Sequence, residues 1–194
     1  MAALRVYLAI ALNSDFDTKF AEISISDLEE VTGLSRPMVV RGIKTAEEMQ
    51  LLIVDRENHR HGYTMATSAD SKGFAKLPKQ KLKGVLNRLP ARGYHALDAL
   101  KLYITLLTVR PNKSAVVQIG HTRILEWTGL QPNRVRAAID VLINHGLVHL
   151  DLSEVEDKRH RHNQYEILGL NLAGSKLVAA QSVDASSLFS AIDI

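Results

Sequence analysis

EWTGLQPNRVRAAIDVLINHGLVHL, residues 126–150, reads as a helix end, a tight turn, a second helix and the start of a strand. Gly129 stands where a helix terminates in the left-handed region, which glycine enters without penalty. Pro132 suits the first turn of the next helix, where an amide hydrogen would be unpaired anyway. Val135, Ala138, Ile139 and Leu142 then recur at i, i+3, i+4 and i+7, the spacing of one buried stripe. Gly146 ends the helix, and LVHLDL (147–152) is β-like. Upstream, LDALKLYITLLTVR (97–110) predicts a largely buried helix stopped at Arg110-Pro111-Asn112. VVQI (116–119) predicts a short strand, and HTRILEWTG (121–129) about two helical turns. Downstream, NQYEILGL (163–170) pairs naturally with 147–152 as a hairpin, with the charged SEVEDKRHRH (153–162) at its tip.

The same order occurs once before. A shift of 96 residues lays Tyr7 on Tyr103, Thr32-Gly33-Leu34 on Thr128-Gly129-Leu130, Val39 on Val135, Ile43 on Ile139 and Leu51 on Leu147, without a gap from 7 to 54. One six-residue insertion then brings Tyr63 onto Tyr165. Copy one therefore reads as RVYLAIAL (5–12), ISI (23–25), SDLEEVTG (26–33), LSRPMVVRGIKTAEEMQ (34–50), LLIVD (51–55) and GYTMA (62–66), with RENHRH (56–61) at the hairpin tip. Two long units are tandem domains, not a solenoid. The apolar N-terminus is not read as a signal peptide, because Arg5 interrupts it and its twin lies inside the chain. The expected division is 1–67 for the first domain, 68–93 for a basic joint, 94–170 for the second domain and 171–194 for a tail.

Residues 26–54 and 122–150 resemble the cores of winged-helix proteins. The T-G-L turn and the downstream L-x-x-x-G-L-V carry the likeness; copy one departs from it at Gln50, where copy two has Gly146. The likeness covers about 60 residues per copy, most of the chain. Two winged helices in so short a chain also resemble plasmid replication initiators in architecture, although no initiator-specific motif is present. The resemblance implies a mainly α fold with small β-hairpin wings (α+β), as two tandem winged-helix domains. It also implies that the second helix of each turn enters the major groove of DNA. In copy two that assigns DNA contacts to Gln131, Asn133, Arg134, Arg136 and Ala137. In copy one it assigns them to Ser35, Arg36, Met38, Arg41 and Lys44. Arginine can fork onto guanine and asparagine onto adenine. The plainer reading of either helix is an ordinary solvated face.

HRHGY (59–63) and HRHNQY (160–165) recur at matching places. In the winged-helix reading both lie in wings, so Arg60, Lys158, Arg159 and Arg161 would meet phosphates. His160 and His162 alternate as strand residues on one side could. With no cysteine and no third or fourth ligand at a recognised spacing, neither metal nor cofactor is expected. A solvated charge run is the remaining alternative. The joint (66–93) carries seven Lys/Arg against Asp70 alone. Leu82, Val85, Leu86 and Leu89 predict an amphipathic helix between Pro78 and Pro90, with Lys79 and Lys83 extending a phosphate track. Tyr7, Tyr103 and Trp127 read as packing residues, and the tail shows apolar residues without a clear pattern.

Charge divides unequally. Residues 1–65 hold 7 basic and 10 acidic side chains, 66–170 hold 16 and 9, and 171–194 hold 1 and 2. Copy two is thus the expected main DNA binder, with copy one as a weaker reader or a self-association domain. No Gly-rich phosphate loop, HExxH or nucleophile motif marks an enzyme. The expected function is sequence-specific binding of duplex DNA, foremost as a transcriptional regulator. The alternatives are a replication initiator of a plasmid or other mobile element, and a protein-interaction module. The expected partners are double-stranded DNA and, as an option, a second copy in a homodimer, without a membrane. The expected location is cytoplasmic and nucleoid-associated.

Overall fold

The computed structural model of the chain describes residues 1–58, 60–66, 75–111, 113–151 and 163–170. Among these the fold is mixed α+β, with seven helices and two antiparallel three-stranded sheets. Copy one contains α1 (Ala2–Asn13), β1 (Phe20–Ile23), α2 (Ile25–Thr32), α3 (Arg36–Glu48), β2 (Leu52–Asp55) and β3 (His61–Met65). The joint contributes α4 (Lys79–Leu86). Copy two repeats the order as α5 (His95–Val109), β4 (Val116–Ile119), α6 (His121–Thr128), α7 (Pro132–Asn144), β5 (Val148–Asp151) and β6 (Asn163–Ile167). The sheets run β1-β3-β2 and β4-β6-β5, so in each the hairpin's return strand is central. The register follows the sequence shift: Ala21 faces Tyr63 as Val117 faces Tyr165.

One boundary differs from the expected one. The first strand of copy one is Phe20–Ile23, not 23–25. The reason is a capping box: the Ser24 hydroxyl accepts from the Asp27 amide while the Asp27 carboxylate accepts from the Ser24 amide. This starts α2 at Ile25. Gly120, at the matching place in copy two, has no side chain with which to cap α6.

The turn between the second and third helices is built alike twice. Gly33 and Gly129 both take left-handed backbone (φ 64° and 65°). The Thr32 hydroxyl donates to Leu28 O at 2.5 Å and accepts from the Leu34 amide at 3.3 Å. Thr128 does the same with Ile124 O at 2.6 Å and the Leu130 amide at 3.3 Å. Each third helix then lays its stripe on the first helix. Val39, Ile43 and Ala46 are buried with α1, and Val135, Ala138, Ile139 and Leu142 with α5. Tyr63 and Tyr165 are fully buried under their sheets. Burial pushes the Tyr63 phenol up to about 12.

α4 lies where the sequence places it. Leu82, Val85, Leu86 and Leu89 are buried, and the helix packs on α1 and α2. Asn87, just beyond its end, closes over the first turn: its carbonyl oxygen is 2.4 Å from where a Cβ on Gly33 would sit. A Cβ on Gly129 would meet nothing within 4 Å among the described residues. The two glycines thus separate backbone strain from steric exclusion. Gly129→Ala is expected to cost about 1–2 kcal/mol, the left-handed penalty for an L side chain. Gly33→Ala should cost distinctly more, because α4 must also move. Denaturant titration of the two variants checks this, and equal losses would mean that α4 does not hold the turn.

The third helices end differently. Gly146 (φ 62°) has as its counterpart Gln50, a non-glycine residue at φ 57°. Gln50→Gly should therefore stabilise the chain by about 1 kcal/mol, since relieved strain exceeds the added freedom of the unfolded chain. The midpoint of urea unfolding reads it directly.

Candidate nucleic-acid interface

Each third helix begins at an exposed corner. Its N-terminal end follows the left-handed glycine, and proline at the first or second position sets its direction. In copy two, Gln131 and Asn133 are exposed, while Arg136 and Ala137 are half-buried along the same helix. In copy one, Ser35, Arg36, Arg41 and Lys44 are exposed. Met38 departs from its outward assignment: it is half-buried and packs against the core. Val40 is exposed instead, at 47%.

Arg134 is the main correction. Its guanidinium grips Asp98 on α5 with both forks, Nε to Oδ2 at 2.7 Å and Nη2 to Oδ1 at 2.6 Å. It also lies over the Tyr94 ring, 4.7 Å from the centroid. The Asp98 side chain is only 2% exposed, so the pair ties the start of α7 to the start of α5. Hydrogen bonding to this carboxylate raises the Arg134 pKa above its ordinary value. In this arrangement the guanidinium is engaged within the protein and joins α7 to α5. The counterpart of Asp98 is Ala2 and that of Arg134 is Met38, so copy one joins the same helices by apolar contact.

The cations of copy one have acidic neighbours. Arg36 pairs with Glu29 at 3.6 Å, Lys44 with Glu48 at 3.7 Å and Arg60 with Asp27 at 3.3 Å. The Asp27 carboxyl is held below the usual range by its capping bonds to Ser24, and further by Arg60 and Lys83. Arg41 has no acidic partner among the described residues. Copy two lacks these acids. Where copy one has Asp27, Glu29, Glu47 and Glu48, it carries Arg123, Leu125, Ile143 and Asn144. Arg123 is exposed on α6 and was not singled out from the sequence. Comparing the two copies position by position would have found it, because the charge reverses there.

Lys79 and Lys83 are exposed on α4, as expected for a cationic track. Lys158, Arg159, Arg161 and the histidines His160 and His162 lie outside the described residues, as does His59. Of the first HRH, Arg60 is exposed and His61 lies in β3 with its Nδ1 3.5 Å from the Tyr63 hydroxyl. Among the described residues no group of three or more His, Asp or Glu is arranged to hold a metal. No described helix is long and apolar enough to cross a membrane. Comparison with family models and with curated proteins gives no match.

The Asp98–Arg134 pair makes a stability prediction. Asp98→Asn and Arg134→Lys should each lower the thermal midpoint, the lysine variant because an ammonium cannot occupy both carboxylate oxygens in a planar fork. The double variant should lose less than the sum of the singles, as expected for two halves of one interaction. Additive losses would show that the pair contributes nothing as a pair.

Proposed function

We propose that the chain is a sequence-specific duplex-DNA-binding protein made of two tandem winged-helix domains, and that it acts as a transcriptional regulator. The observation that carries the reading is a repeated turn of one design, followed each time by a helix whose N-terminal corner is exposed. In copy two, Asp27 and Glu29 of the helix before that corner are replaced by Arg123 and Leu125, while Glu126 keeps the acid of Glu30. The order helix, strand, helix, helix and hairpin, with the return strand central in each sheet, supports the winged-helix assignment. In such a domain the third helix enters the major groove while the helix before it crosses the backbone. This gives base reading to Gln131 and Asn133, phosphate contact to Arg123 and support of the helix to Arg134. Copy one reads less strongly, through Arg41 and the paired Arg36 and Lys44, and Lys79 and Lys83 add sequence-independent attraction. The chemistry proposed is binding without catalysis.

The test is genome-wide mapping of sites bound by the full chain, followed by footprinting. A site overlapping a promoter is expected for a regulator. Gln131→Ala and Asn133→Ala should each weaken binding to that site by about 1–3 kcal/mol while changing random-DNA binding less. Lys79→Ala with Lys83→Ala should weaken both kinds of binding and flatten their salt dependence. Failure to bind any duplex at low salt would overturn the reading in favour of a protein-interaction module. An array of sites beside an AT-rich segment would replace regulation with replication initiation.

A further inference from the structure

The two copies share a fold, so each is a control for the other, and one face differs. On copy one the α1 residues Arg5, Leu8 and Leu12 are at most 3% exposed, and Val31 of α2 is 7% exposed. α4 packs on these two helices. On copy two the counterparts are Lys101, Ile104 and Thr108 of α5 and Trp127 of α6. Lys101 and Thr108 are exposed, Ile104 is half-buried and Trp127 is 56% exposed. Leu125 is also only partly buried there, and no described residue stands over Gly129 as Asn87 stands over Gly33. Trp127, read from the sequence as a packing residue, is thus mostly exposed among the described residues. It sits on a face that copy one covers and that the described residues of copy two leave open.

What covers the face on copy one is the chain that follows its hairpin. From Met65 to Leu89 the chain runs 24 residues, and 27 residues follow Ile167. The length needed to trace the same route is present. The buried stripe of the joint is Leu82, Val85, Leu86 and Leu89. Shifted by 103 residues, one more than the offset of the hairpin strands, it falls on Ala185, Leu188, Phe189 and Ile192. These repeat the spacing i, i+3, i+4 and i+7; Leu188 and Phe189 are larger than Val85 and Leu86, and Ala185 is smaller than Leu82. On the open face the Trp127 ring carries, among the described residues, only the Arg123 guanidinium, 5.8 Å from its centroid. The net charge of the two segments also differs: the joint is basic, whereas the tail carries Asp184 and Asp193 against Lys176 alone.

We propose that residues 171–194 dock in cis on the face formed by Ile104, Leu125 and Trp127, taking on copy two the place that α4 takes on copy one. The contact seats Leu188, Phe189 and Ile192 against the indole and the side of α5. Nothing in this proposal requires DNA, so its failure would leave the proposed function standing.

The chain has one tryptophan and no cysteine, which allows a contact measurement in the full-length protein. A bimane label on Ser190→Cys is strongly quenched when an indole touches it. The expected result is emission several-fold lower than in the same labelled chain carrying Trp127→Phe. The quenching should be unchanged by dilution or by an excess of unlabelled Trp127→Phe chain. In the otherwise unaltered chain, the double substitution Leu188→Asp with Phe189→Asp should make Trp127 markedly more accessible to iodide. Far-UV circular dichroism of that variant should stay native, since neither residue belongs to the two described cores. Emission that ignores Trp127→Phe, or iodide access equal in the parent and the double variant, would overturn the proposal. So would quenching that fades on dilution or with unlabelled chain, which would mean that a second molecule covers the face.

Discussion

The guanidinium of Arg5 is the constraint on which the arrangement of copy one and the joint depends. It is fully buried in α1 and donates to Thr32 O at 3.1 Å, Leu89 O at 3.2 Å and Pro90 O at 2.7 Å. Burying a cation is costly unless its donors are satisfied. Here the acceptors are backbone carbonyls at the ends of two helical segments, where carbonyls lack intrahelical partners and the helix dipole favours positive charge. Burial lowers the Arg5 pKa without a carboxylate to offset it. One side chain thus joins the first helix, the T-G-L turn and the end of the joint. The Nε donor has no partner among the described residues, and moving any of the three would leave a further buried N–H unpaired.

The consequences extend to copy two. With Leu89 and Pro90 fixed to α1, the joint delivers α5 from a set position, and α1 and α5 are in contact. On the other side Lys81 of α4 lies against Gly169, 2.8 Å from a would-be Cβ, and near Gly146. The two third helices are therefore spaced by packed structure. For a pair of binding modules, such a fixed spacing converts the second contact into an intramolecular event at high effective concentration, but only on a partner whose sites match it.

The repeat also shows how one backbone takes on different surfaces. Copy one neutralises its cations locally, through Glu29, Glu48 and Asp27, and hides α1 and α2 under α4. Copy two removes the acids and spends its best-placed arginine, Arg134, on a buried carboxylate. The core positions are nearly interchangeable between copies because they answer to the same packing. The surface positions are not, and the reversal from Asp27 to Arg123 changes the field at the same point of the same fold.

Much was legible in the sequence because it depends on local periodicity. The stripe Val135, Ala138, Ile139 and Leu142, the left-handed glycines, the α4 stripe between two prolines and the 96-residue repeat each report a short-range rule, and each element lies within a few residues of its expected place. The α+β class followed from their order. Tertiary structure alone decided what the exposed-looking residues do. Arg134 reads as an outward base reader until α5 brings Asp98 beneath it. Trp127 reads as a packing residue, yet among the described residues it is mostly exposed, and Met38 turns inward because Arg134's position in copy one must fill apolar space. Periodicity specifies which side of a helix is buried by its own domain. Which groups lie across from it, close enough to pair, depends on residues 36 or more positions away, and only the packed chain brings those together.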